Sequence, residues 1–189
     1  MDARLIETLL DAVGSHLEAA GAEASIVVVG GAALNLRRLV ARTTEDVDVI
    51  AMWEDGRLRP PRFHAALSNS VRRVSRDFGL PEDWLNDMAG MQWRAGLPPT
   101  LIEDAVWVGY RALKVCVVGR NGLIVLKLFA AADQGPRSVH SQDLIALAPT
   151  DTELLEAAAW VATQDIAPEW PRIVKEIVAH VVDHRTHRP

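Results

Sequence analysis

Asp46 and Asp48 stand two residues apart in RTTEDVDVI, residues 42–50, a stretch otherwise suited to a β-strand. Side chains alternate faces along a strand, so both carboxylates point one way while Val47 and Val49 point the other. Two ionised carboxylates on one face repel, and burying either one unpaired is costly. A divalent cation between them supplies the opposite charge. Mg²⁺ (or Mn²⁺) suits the pair, because it takes carboxylate oxygens and completes its shell with substrate phosphates. An edge strand with one solvated polar face has the same D-x-D, so the pair alone leaves both readings open.

Two further features bear on phosphate chemistry. SIVVVGG, residues 25–31, reads as a buried strand that ends in Gly30–Gly31, with a helix following. Glycines there let the backbone approach a ligand, and a helix start aims N–H groups at an anion. Glycines also simply end strands. Lys127 lies in LIVLKLFAAA, where its neighbours three and four residues away are Leu123, Ile124, Ala130 and Ala131. A lysine on such an apolar face either snorkels along the helix or reaches a specific anion.

These residues must be positioned by the rest of the chain. Leu5, Leu9, Val13 and Leu17 predict a helix over 3–20, stopped by Gly21. The pattern then predicts a strand over 25–31, a helix over 32–40, a strand over 46–52 and a charged turn over 54–61. A helix follows over 62–78, and 79–100 is irregular with a short helix starting at Pro81. Residues 105–110 and 112–118 read as a strand hairpin. Helices are expected over 121–133, 138–148, 151–164 and 169–186, with Thr150 and Glu153 as a capping box for the third. The expected architecture is α+β, a small mixed β-sheet with flanking helices and a C-terminal helical bundle. It divides into a core over 1–118 and a helical region over 119–189 that together make one compact unit. Regular strand–helix alternation of a doubly wound fold is missing.

Composition excludes several classes. Hydrophobic residues make up 49% and charged residues 24% of 189, an ordinary globular balance rather than a disordered one. The net charge of −5 argues against a generic DNA-coating protein. Cys116, the one cysteine, sits in the apolar run LKVCVV and reads as a core residue. No disulfide can form within the chain, and a reduced, cytoplasmic setting fits. The N-terminus lacks the basic start and apolar core of a signal peptide, and no run is long enough to span a membrane.

VVGGAALNL followed by RTTEDVDVI resembles the nucleotidyltransferase superfamily, and within it the AbiEii and MenT branch of bacterial toxin–antitoxin systems. That branch reads GG, then R-x-[ST]-x-D-x-D, then a lysine in an apolar helix, then K-D-x-x-D-L. LIVLKLFAAA and RSVHSQDLIAL stand in the last two places. The resemblance implies a nucleotidyltransferase core. It makes Gly30 and Gly31 a phosphate-contacting turn, and Asp46 and Asp48 the metal ligands. Arg42 and Thr44 would brace the turn before them, and Lys127 would contact triphosphate. Asp143 would complete the acidic cluster, orient Lys127 or act as base. It further implies Mg²⁺-dependent transfer of an NMP from an NTP to a tRNA 3′ end, with a cognate antitoxin as partner. His140 departs from the pattern, standing where the first acid of K-D-x-x-D is expected. The later strands also lack a third carboxylate, for which Glu103 and Asp104 are substitutes or a solvated turn. A protein or small-molecule acceptor, or a non-catalytic nucleotide- or partner-binding relative, are the alternatives.

Arg57, Arg59 and Arg62 cluster, followed by Arg72, Arg73 and Arg76; both groups are candidate RNA contacts or a solvated face. His180, His184 and His187 share a helical face with zinc-compatible spacing, which also suits an ordinary helix C-terminus. The six tryptophans read as packing residues, with Trp84 and Trp93 placed to stack a base from a loop.

Overall fold

A computed structural model describes residues 1–40, 42–94 and 96–186. It confirms the α+β class, with one mixed sheet and a set of C-terminal helices. Two compact units are present: Met1–Arg94 with Ala105–Gly119, and the described residues of Ala95–Asp104 with Arg120–Pro189.

The first unit holds a six-stranded sheet. Its centre is β1 (Ala24–Val29), an Ile-Val-rich strand buried on both faces. On one side β1 pairs antiparallel with β2 (Val47–Glu54). On the other it pairs parallel with β6 (Leu113–Val117), which forms a hairpin with β5 (Val106–Tyr110). The outer edge of β2 is covered in two pieces: β3 (Arg57–Arg59), antiparallel, and β4 (Leu85–Asn86), parallel. The order is β3-β2-β1-β6-β5 with β4 as a branch on β2. Register slips once, because Val27 faces Ala51 while Val28 faces Val49. Ile50 is therefore an extra residue, a β-bulge. Its carbonyl accepts a hydrogen bond from Trp93 Nε1 at 2.6 Å.

Helices α1 (Ala3–Ala19) and α3 (Ala65–Phe78) pack on each other. The Asp2 side chain caps α1 by accepting from Leu5 N at 2.8 Å. Gly14 lets α1 meet the β5–β6 hairpin, since a Cβ there would lie 1.8 Å from Tyr110 O. Between β1 and β2 sits α2 (Gly30–Leu36), only seven residues long.

In the second unit, α4 (Arg120–Gln134) packs against α5 (Val139–Leu147), α6 (Asp151–Val161) and α7 (Trp170–Thr186). The expected capping box is complete: Thr150 N donates to Glu153 Oε2 at 2.7 Å and Glu153 N to Thr150 Oγ1 at 3.2 Å. Among the described residues no helix is long and apolar enough to cross a membrane.

Several boundaries differ from the sequence expectation. Gly30 and Gly31 open α2 rather than close β1, and α2 stops at Leu36 before Arg38, whose φ is 55°. Asp46 precedes β2 instead of lying in it. The 54–61 turn contains β3, because Asp55 and Gly56 both take positive φ and make a tight hairpin. Helix α3 begins at Ala65, capped by His64 Nδ1, which accepts from Leu67 N. No helix starts at Pro81; the chain makes β4 and then a 3₁₀ stretch over Met88–Arg94.

Candidate functional site

The D-x-D segment is anchored by β2. Val47 and Val49 are fully buried, and Asp48 between them is half-buried on the opposite face, as strand alternation requires. Its cross-strand partner is Val29, the last residue of β1. Gly30 follows at a φ of +69°, the left-handed region, and a Cβ there would lie 2.4 Å from Asp48 Oδ2. The carboxylate therefore rests on the α-carbon of Gly30, a place only glycine allows. A Cβ on Gly31 would lie 2.6 Å from Thr44 Oγ1 and 2.9 Å from Arg42 Nη2. Thr44 is buried, and its hydroxyl donates to Asp46 O at 3.2 Å and lies 3.5 Å from Asp46 Oδ1. Buried Asn35 donates through Nδ2 to Gly31 O at 3.1 Å and ties α2 back on its own first turn. Thus Gly30, Gly31, Arg42, Thr44, Asp46 and Asp48 form one cluster.

Two aspartates and a hydroxyl make an all-oxygen donor set. Among the described residues no group of three or more His, Cys, Asp or Glu is placed to hold a metal. A cation at Asp46 and Asp48 would therefore draw the rest of its shell from water and substrate phosphates. That fits Mg²⁺, which keeps waters and is held by one or two carboxylates, better than a closed zinc site.

A second cluster lies in the helical unit. Lys127 Nζ is 2.7 Å from Asp143 Oδ2, with 5% and 2% of the two side chains exposed. His140 Nδ1 is 3.5 Å from the same ammonium. The lysine does not snorkel to solvent; α5 presents a counter-charge to it inside the bundle. Residues 6–172, which span both clusters, match a family described as nucleotidyltransferase of unknown function (DUF6036). The chain belongs to that family. No curated protein and no solved structure matches it.

Within this nucleotidyltransferase-family chain, β5 and β6 carry no acid, as their sequences VWVGY and LKVCV require. Of the two substitutes, Asp104 Oδ2 accepts from Asn121 N at 3.3 Å and caps α4, while Glu103 is exposed. Arg72, Arg73 and Arg76 line one cleft of about 490 Å³ with Asn69 and Glu82. Arg57 and Arg59 pair with Glu54 and Met52, and Met52 with Ile26, so they lie on the sheet face opposite Asp48. Arg62 is exposed beyond that hairpin.

Trp84 is not a stacking residue: it is 1% exposed, and its Nε1 donates to Val71 O at 3.3 Å. Trp93 spends its N–H on Ile50 O. The His180 and His184 rings lie 3.9 Å apart between centroids at a tilt of 45°, and His187 lies outside the described residues. Cys116 is buried as expected, which pushes its thiol up to about 11.

One feature escaped the sequence reading. Five residues apart on a regular strand, Asp48 and Trp53 would face opposite ways. The bulge at Ile50 restores a common face. Trp53 meets Trp107 edge-on at 5.5 Å, and Trp107 is 45% exposed. Exposed Lys114, which pairs with Ser25 and Gly109, lies on that same face. Nothing in the spacing of these residues announces the patch.

Proposed function

We propose that the protein is a Mg²⁺-dependent enzyme that transfers an NMP from an NTP to an acceptor hydroxyl and releases pyrophosphate. The observation that carries this reading is the seating of Asp48 on Gly30 with Asp46 held by Thr44. That arrangement seats Asp48 against Gly30 and ties Asp46 to Thr44, which itself lies against Gly31, so both aspartates border one turn where a cation sharing phosphate oxygens would sit. When bound, the cation would neutralise charge on the leaving pyrophosphate. Asp46 and Asp48 hold it; Gly30 makes the room that Asp48 occupies and Gly31 the room for Thr44 and Arg42, which keep the aspartate turn in place. The acceptor oxygen attacks the α-phosphorus in line, the bond from that phosphorus to the bridging oxygen breaks, and the acceptor proton leaves to solvent. The motif resemblance assigns Lys127 to the triphosphate. The 2.7 Å pair supports Asp143 as the residue that orients Lys127 rather than as a base.

The acceptor in this reading is a tRNA 3′ end, and the protein acts in the cytoplasm as the toxin of a toxin–antitoxin pair with a cognate antitoxin. Support comes from the motif resemblance to the AbiEii and MenT branch, from the cleft of Arg72, Arg73 and Arg76, and from the Trp107–Lys114 patch. The absence of an acid on β5 and β6 favours a second reading, a non-catalytic nucleotide binder.

Purified protein with Mg²⁺, each labelled NTP and total tRNA separates these. The proposal expects label in tRNA, lost in Asp48→Ala and reduced steeply by salt. Label in protein or in a small acceptor moves the acceptor class. NTP binding without transfer to any acceptor establishes the second reading.

A further inference from the structure

The sheet face that carries Asp48 continues beyond it. Opposing residues in a sheet share a face, so Val27, Cys116 and Trp107 form one row across β1, β6 and β5, and Ser25, Lys114 and Gly109 form the next. Trp53 and Trp107 stand on strands three spacings apart, about 14 Å. Their rings nevertheless meet at 5.5 Å, so both indoles lie inward over β1 and β6, where Val27 and Cys116 are fully buried. Trp107 is still 45% exposed with that contact made. Beside it Gly109 leaves a bare place on the strand, since a Cβ there would have no neighbour within 4 Å. Lys114, opposite Gly109, is exposed, and among the described residues no ion pair engages its ammonium. An aromatic wall, a floor without side chain and a cation make a seat for a planar ring that carries an anion. A nucleotide has both parts, and any base can stack on an indole.

Distance decides which nucleotide. Asp48 pairs with Val29, and Lys114 with Ser25, four residues away on β1 or about 13 Å along the sheet. An NTP held at Asp46 and Asp48 keeps its negative charge there and has none to offer Lys114. A second nucleotide, joined by a phosphodiester to the one whose hydroxyl reacts, does. Past Ser25 the surface turns acidic, with Glu23 and Glu54 beside Trp53, so a strand running further would meet like charge. The seat fits a short unpaired end. We propose, resting on the nucleotidyl transfer to RNA proposed above, that Trp107, Gly109 and Lys114 bind the unpaired 3′ end of the acceptor. The base next to the terminal one stacks on Trp107 over Gly109, and its phosphodiester meets Lys114.

Fluorescence anisotropy of a labelled RNA hairpin with a short unpaired 3′ end, and of the same hairpin made blunt, reads binding without turnover. Wild type should prefer the unpaired end. Trp107→Ala should weaken that binding on the order of tenfold, while Trp107→Phe should keep most of it. Gly109→Ile fills the floor, suits a strand and removes no contact, and it should weaken the RNA comparably. Lys114→Gln should lower the slope of log affinity against log salt by about 0.7. Affinity for the Mg²⁺–NTP complex should be the same in all of them. No RNA binding, equal binding of the blunt hairpin, or RNA binding that none of the variants weakens overturns the proposal. So does a loss of NTP affinity in Trp107→Ala, which would make the indole the seat of the NTP's own base. Labelled NMP transfer separates the seat from the enzyme. Transfer to tRNA with an unchanged KM in Trp107→Ala and Gly109→Ile removes the seat and keeps the enzyme. Unpaired RNA held through Trp107 and Lys114, with no transfer to any acceptor, keeps the seat and removes the enzyme.

Discussion

Replacing Gly30 by alanine tests the central contact of the site. The new methyl would sit 2.4 Å from Asp48 Oδ2, whereas ordinary contact begins near 3.4 Å. The carboxylate must therefore retreat by about 1 Å, a misplacement that can cost on the order of 10²-fold in rate. The left-handed backbone adds about 1–2 kcal/mol of instability for any alanine. Turning Asp48 off its rotamer adds about 0.5–1.5 kcal/mol more. Gly79→Ala is the matched control, because Gly79 has a φ of +65° and open space where its Cβ would stand. It should lose only the backbone part and keep full activity. Urea titration gives the two stabilities, labelled NMP transfer gives the rates, and Mn²⁺ binding by electron paramagnetic resonance reads the site without turnover. Equal stability, equal Mn²⁺ affinity and equal rate in the two variants would refute the placement of Asp48 against Gly30.

Three further outcomes are expected. Lys127→Met leaves Asp143 buried without its counter-charge and should cost about 3–5 kcal/mol in urea unfolding, while Lys127→Met with Asp143→Leu should recover most of it. The Arg120 guanidinium, bonded to Glu153, holds that carboxyl down at about 2 against its usual 4.5. Because the folded value lies below the unfolded one, the stabilisation is complete above about pH 4.5 and fades towards pH 2. A Glu153→Gln variant should lack that portion of the slope in acid unfolding. With its thiol pushed up to about 11 by burial, Cys116 should resist a thiol reagent at pH 8 in the native state and react once urea is added.

The site's first half was legible because its signals are local. Gly-Gly, Arg-x-Thr and D-x-D are read within a few residues, and strand alternation alone gives the facing of Asp48. The capping box at Thr150 and the hairpin over 105–118 were legible for the same reason. What escaped depends on partners distant in sequence. Strand β4 is two residues long and exists only because Val47–Asp48 offers it an edge. Trp84 looks like a loop tryptophan until α3 closes over it and accepts its N–H. Lys127 was readable as unusual, but its partner Asp143 needed the packing of α4 against α5. The Asp-Gly of β2–β3 was a missed local signal: two positive φ values in succession specify a hairpin, and its charges masked it.

Ile50 changes what β2 can do. Removing that single residue would leave the aspartate end where it is and flip everything from Ala51 to the hairpin. The Trp53 indole would turn towards the helices, Met52 would emerge, and Arg57 and Arg59 would exchange sides with Leu58. One inserted amino acid thus acts as a switch of parity, letting the strand's two halves be shaped by separate demands while a continuous backbone joins them.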